Sequence, residues 1–208
     1  MSRVYGPSIV RDGLILYADA ANSKSYPGTG TTWYDLSRNG NNVTIDSLTF
    51  NQNDNLGSIQ GTFSNNSLNS INDNDPHTVT LVGKSLVFNM GNGVETITNS
   101  VVSFNKYVFD INHDSNSSVD LFYDNLQTKT INITYTVSNL KSTVYVNGEK
   151  KEELTGYSGI NDFGPFFSMI PGKGETLSTV YMVKIYNRVL TEDEVKQDFE
   201  ATRTRFDL

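Results

Sequence analysis

The stretch Val180-Tyr-Met-Val-Lys-Ile-Tyr-Asn-Arg-Val-Leu190, continued by Thr191-Glu-Asp-Glu-Val-Lys-Gln-Asp-Phe199, decides the fold. Its first part carries apolar side chains in both phases of a period-two pattern. A central strand covered on two sides requires that. Its second part opens a helix. Thr191 is placed as the N-cap and Glu194, three residues on, completes a capping box. Leu190 and Val195 are spaced as a hydrophobic staple. Val195 and Phe199, one helical turn apart, give one apolar stripe for docking on a sheet, with Phe206 as a further contact.

Outward from this segment the chain reads as short strands and polar turns. Leu14 to Tyr17 fits a buried strand. Residues 20 to 42 form a long loop that Tyr26, Trp33, Tyr34 and Leu36 anchor, and Asn39-Gly40 marks a turn. Strand-like pieces follow at Val43 to Ile45, Leu48 to Phe50 and Ser58 to Gln60. Thr78 to Val82 and Ser85 to Asn89 flank Gly83-Lys84 as a hairpin, and Met90 to Gly93 is a turn. Val101 to Ile111 reads as one long strand returning through Val119 to Tyr123. Thr130 to Val137 alternates at period two. Ser142 to Val146 runs into Asn147-Gly148, a type I′ turn signal. Lys150 to Leu154 returns as a charged edge strand. Phe163 to Ile170 and Ser178 to Asn187 are the last strands. Such a succession predicts a sandwich or barrel.

The chain has 208 residues, a formal net charge of -7, 37% hydrophobic residues and no cysteine. That length suits one all-β domain. The acidic balance, with no basic cluster, argues against nucleic acid and against anionic membrane surfaces. Without cysteine there is no disulfide framework, thiolate metal site or Cys nucleophile. Residues 1 to 10 show no signal-peptide pattern, and no apolar run approaches the ~20 residues of a membrane helix. The 24 asparagines create sequons at Asn42, Asn65, Asn116 and Asn132, which this composition produces by chance.

Several landmarks resemble one family. They are Asp12-Gly-Leu-Ile-Leu-Tyr17, Asp19-Ala20, Lys24-Ser-Tyr-Pro-Gly28, Gly30-Thr-Thr-Trp33, Asp35-Leu-Ser37 and Asn39-Gly-Asn-Asn42. Thr143 to Glu149, Val183 to Val195 and Thr202 to Phe206 add to them. Together they resemble concanavalin A-like, laminin-G-like jelly-roll domains, in particular those of tailed-bacteriophage virions. The resemblance covers the first fifth and the last third of the chain. It implies an all-β antiparallel jelly-roll β-sandwich with one short C-terminal α-helix. Residues 1–208 then form a single domain, with 1–11 as an N-terminal arm and 191–206 as the C-terminal helix and tail.

No reaction centre is legible. Glycosidases of this shape carry paired carboxylates across a strand face, about 5–5.5 Å apart for retention. No such pattern occurs. Glu149, Glu152 and Glu153 follow a turn, Glu192 and Glu194 cap a helix, and Asp120 and Asp124 read as solvent-facing. His77 and His113 read as surface or turn residues, and no Gly-x-Ser-x-Gly elbow is present. Asp110 to Asn116 spaces oxygen ligands as a calcium loop does. Ser115 replaces the loop glycine and Leu121 the closing glutamate; Asp73 to Asp75 is a second acidic patch. No catalytic, cofactor or metal residue is therefore assigned, with a structural calcium the single cofactor considered. Gly91 to Gly93 and Gly172 to Gly174 read as turns, not phosphate cradles. Trp33 reads as a packing residue rather than a sugar platform.

The expectation is a non-enzymatic bacteriophage virion protein: a capsid decoration, fibre or accessory module. It would be made in a host cytoplasm and would act by docking on other virion proteins or on itself. Tyr5, Ile9, Val10 and Phe206 are the expected docking residues. The alternative is a lectin-like carbohydrate-binding module acting on cell-surface glycans, and adhesion joins the two. A glycoside hydrolase is the weakest of the three readings.

Overall fold

The computed structural model describes residues 6–51, 57–65, 75–84, 88–90, 95–101, 106–112, 120–124, 130–138, 141–155, 167–169 and 179–208. The strands are β1 (Leu14–Asp19), β2 (Thr32–Trp33), β3 (Val43–Asn51), β4 (Ser58–Asn65), β5 (His77–Lys84), β6 (Phe88–Met90) and β7 (Glu95–Val101). They continue as β8 (Lys106–Asn112), β9 (Asp120–Asp124), β10 (Ile131–Ser138), β11 (Lys141–Val146), β12 (Glu149–Thr155), β13 (Phe167–Met169) and β14 (Thr179–Tyr186). Two helices close the chain, α1 (Glu192–Glu200) and the one-turn α2 (Arg203–Phe206).

All strand pairs are antiparallel. Pairing runs continuously through all fourteen strands, in two halves: one sheet has the order β12-β11-β10-β5-β14-β1 and the other runs β2-β3-β4-β13-β6-β7-β8-β9. They join at the start of β14, where Thr179 and Val180 pair with Gln60 and Ile59. Face to face they enclose one apolar cluster. Val79, Leu81, Ile133, Val144, Val183 and Ile185 from the first sheet meet Trp33, Val43, Ile45 and Ile59 from the second. Burying each such side chain stabilises the fold by roughly 1.5–3 kcal/mol. The molecule is thus the antiparallel β-sandwich that the sequence predicts.

β14 is buried along its whole length. A bulge between Val180 and Met182 shifts its register against β5. Val183 and Ile185 enter the sandwich core, while Met182 and Tyr186 face the opposite way into two smaller apolar clusters. Those clusters take Leu190, Val195 and Val10, and, separately, Tyr181 and Phe206. The helices and the arm therefore form a third layer on the outer face of the first sheet. The capping box at Thr191 and Glu194 is present as read. Thr78 fixes the strand-to-helix junction, donating from Oγ1 to the Arg188 carbonyl and accepting from the Leu190 N–H, both at 2.9 Å.

The free edge of β1 is closed by the 35–42 loop. The Tyr17 N–H donates to Asp35 Oδ1 at 2.9 Å, and the Leu36 N–H to the Tyr17 carbonyl at 2.7 Å. Ser37 Oγ and Asn41 Nδ2 donate to the Ile15 carbonyl, and Asn39 Nδ2 to that of Leu14. The Asp35-Leu-Ser37 and Asn39-Gly-Asn41 pieces thus satisfy strand groups that would otherwise invite another chain. At the other edge, β12 carries the expected charges. Asn147 (φ 51) and Gly148 (φ 75) make the β11–β12 turn as read.

Several expectations change. Gly83-Lys84 is no hairpin turn, because β5 runs through it and pairs with β10 and β14, while β6 pairs with β7 and β13. Residues 77–83 are buried on both faces, which demands a central strand. The long strand from Val101 to Ile111 is two elements, β7 ending at Val101 and β8 starting at Lys106; β8 pairs with β9 as the return strand. His77 is fully buried, its Nδ1 lying 2.8 Å from the Asp75 carbonyl, and is not a surface residue. Tyr34 is the exposed member of the anchoring aromatics, at 45%. The tail forms the extra turn α2.

Candidate functional site

The docking residues expected at the termini are committed to the fold. Val10 is 4% and Phe206 3% exposed, and Ile9 packs against the same cluster as Val10. Tyr5 lies outside the described residues. Beneath α1 sits a buried polar centre that sequence reading missed. Lys184 on β14 forms an ion pair with Asp198 on α1, with side chains 0% and 2% exposed. The second carboxylate oxygen accepts from the Tyr186 hydroxyl at 3.1 Å and from the Val10 N–H at 3.3 Å. Burial lowers the Lys184 pKa from its ordinary value, and burial beside Asp198 raises that of Tyr186. One side chain therefore ties strand, helix and arm. Its hydrogen bonds are satisfied within the fold, so it acts as a clamp.

Three of the other carboxylates weighed in the sequence are also engaged. Glu194 is held by Arg188 at 2.7 and 2.8 Å. That pair, with the Thr191 backbone bond, lowers its pKa to about 2. Glu153 meets Lys141 and Lys150, and Glu149 meets Lys151. Asp110 to Asn112, the start of the calcium-like stretch, belong to β8, with Asp110 opposite Asp120. His113 to Asn116 lie outside the described residues, as do Asp73 and Asn74. Among the described residues no three His, Cys, Asp or Glu side chains gather as metal ligands would.

The described residues include one concave site. A cleft of about 180 Å³ opens between the loop after β1 and the ends of β3 and β4. Ala20, Ala21, Ser23 and Tyr26 line one side with Pro27 and Gly28, and Phe50 and Gly57 complete it. Tyr26 and Phe50 meet edge to face, with ring centroids 4.9 Å apart. Tyr26 is buried and donates to the Gly30 carbonyl at 3.0 Å; Phe50 is half-buried against the core. Ser23 is exposed.

The cleft loop is fixed by short bonds. The Asp19 N–H donates to Ser25 Oγ at 3.0 Å, and Ser25 Oγ donates to the Tyr34 carbonyl at 2.6 Å. The Ala21 N–H donates to Asp19 Oδ1 at 3.1 Å. Arg205 on α2 grips both oxygens of Asp19 at 2.5 and 2.6 Å. At Gly57 (φ 59) a Cβ would lie 2.7 Å from Ala21 Cα, so the opposite wall can approach only as glycine. A preformed concave site with an aromatic wall suits a small, partly apolar ligand. The sequence reading used Tyr26 as a loop anchor. It could not join Tyr26 to Phe50, because only the sheet register brings these elements together.

No family model matches the chain, and no curated protein matches it either. Its fold does recur among solved structures. The binding domain of Paraclostridial Mosquitocidal Protein 1 superposes with a TM-score of 0.65 at 16% identity, over 91% of this chain and 52% of that one. A structure of botulinum neurotoxin type C, described as interacting with two ganglioside molecules, superposes at 0.64 with 13% identity, over 91% and 51%. The chain thus spans about half the length of these toxin structures. Domain 4 of the Geobacillus stearothermophilus arabinanase AbnA, solved with arabinotriose, superposes at 0.64 with 13% identity, over 90% and 98%. At such identities the likeness is one of fold: a β-sandwich shared with domains that bind glycans or receptors.

Proposed function

We propose that this chain is a non-catalytic saccharide-binding β-sandwich module whose ligand sits in the Tyr26–Phe50 cleft. The observation that carries this reading is the half-buried Phe50 ring beside Pro27 in a preformed cleft, with the exposed Ser23 at its rim. A sugar offers a C–H face to an aromatic or proline surface and hydroxyls to polar groups around it. The glycan- and receptor-binding names of the structural neighbours support the same direction. A glycan array probed with the intact chain tests it. Binding to a defined set of glycans, lost in Phe50→Ala and kept in Tyr34→Ala, is the expected result. No binding on the array, together with no shift in NMR titration at millimolar saccharide, would remove the reading.

The virion reading rests on the landmarks at residues 12–42 and 183–195 and is compatible with glycan binding, since a virion protein can hold a particle to a coated surface. Mass spectrometry of purified particles tests it; particles without this chain would defeat it.

A further inference from the structure

We infer that the Tyr26–Phe50 cleft takes a neutral sugar residue and excludes acidic sugars such as sialic acid. This inference rests on the binding reading above and narrows it.

Recognition of a sugar carboxylate calls for a guanidinium or ammonium group, or several converging N–H donors, because a buried anion without partners is costly. Among the described residues no charged side chain lines the cleft. The cation tied to its wall, Arg205, has both carboxylate oxygens of Asp19 across its guanidinium and gives no net charge there. The Ala21 N–H, a wall donor, is already spent on Asp19 Oδ1. Lys24 follows Ser23 but is exposed and outside the lining set. What remains is a ring face, a proline and Ser23, which suits an uncharged ring and repels nothing neutral. At about 180 Å³ the cleft is below the roughly 300–1,000 Å³ of drug-sized sites, so it accommodates about one ring, with the rest of a chain outside.

The test is NMR titration at millimolar concentration with single-ring ligands, the methyl glycosides of arabinose and galactose against that of sialic acid, beside an array carrying neutral and sialylated glycans. The expected result is shifts with the neutral glycosides and binding of the sialoside at least about tenfold weaker. Binding should change little between ~50 and ~500 mM salt, since no ion pair forms to be screened. Lys24→Ala should bind as the parent does and Phe50→Ala about tenfold or more weaker. Preference for sialylated glycans that fades with salt or in Lys24→Ala would overturn the inference while leaving the binding reading standing. Signal on no glycan of either kind would overturn the binding reading, and the inference with it.

Discussion

Asp198 ties three parts of the architecture together. Lys184, Tyr186 and Val10 all reach its carboxylate, from a strand and from the arm, while it stands on α1. Burying the pair costs desolvation on both sides, so its net worth against an apolar pair is small, but removing one partner strands the other. Asp198→Ala should therefore lose about 3–5 kcal/mol in urea unfolding. The double replacement Lys184→Met with Asp198→Leu should lose less than Asp198→Ala alone, because no charge is left buried. A double variant as unstable as the single would contradict this.

Glu194 is the second residue with a defined expectation. Its folded pKa is depressed to about 2 from an ordinary 4.5, by Arg188 and the Thr191 backbone. The folded state binds protons less readily than the unfolded one at this site, so its contribution is present above pH 4.5 and lost as pH falls towards 2. Acid titration of thermal stability should show a loss in that window that Glu194→Gln lacks. Identical profiles for parent and variant would refute it.

Among elements, the β11–β12 hairpin shows how a turn can serve packing. Gly148 holds φ 75, and a Cβ there would lie 2.7 Å from Phe199 Cδ1 on α1. The glycine thus answers both the I′ turn and the helix above it. Gly148→Ala should cost about 1–3 kcal/mol, the scale of such strain. Adding Phe199→Leu should recover part of that loss if crowding contributes; a melting temperature unchanged from parent to Gly148→Ala would show that the turn is not under this constraint. The same hairpin explains what sequence could show. Asn147-Gly148 is local chemistry, readable in two residues, as are Thr191 and Glu194. Gly83-Lys84 looked equally local but was overridden by burial of β5 on both faces, which depends on partners far along the chain. His77 is buried for the same reason: it begins that central strand.

For the whole molecule, period-two patterning and the capped terminal helix made the sandwich legible, since both report how much of each element is buried. The third layer was half legible: the Val195–Phe199 stripe showed that α1 docks, but Lys184 looked like any strand lysine until α1 placed Asp198 over it. The cleft was not legible at all. Its walls are residues of ordinary types, from a loop after β1 and from the ends of β3 and β4, which only the folded chain brings together. On the proposed reading, function at this scale is a matter of what that concavity holds. A ligand of about one ring, gaining roughly 0.3 kcal/mol per heavy atom, binds in the millimolar range or weaker. Adhesion through such a site would need several copies acting together.

The most direct measurement is an amide-resolved NMR titration of the intact chain with an array-positive saccharide. The account predicts shifts centred on Ala21, Ser23, Gly28, Phe50 and Gly57, absent in Phe50→Ala. Shifts centred elsewhere, on Tyr34 or β12, or none from any saccharide, would contradict it.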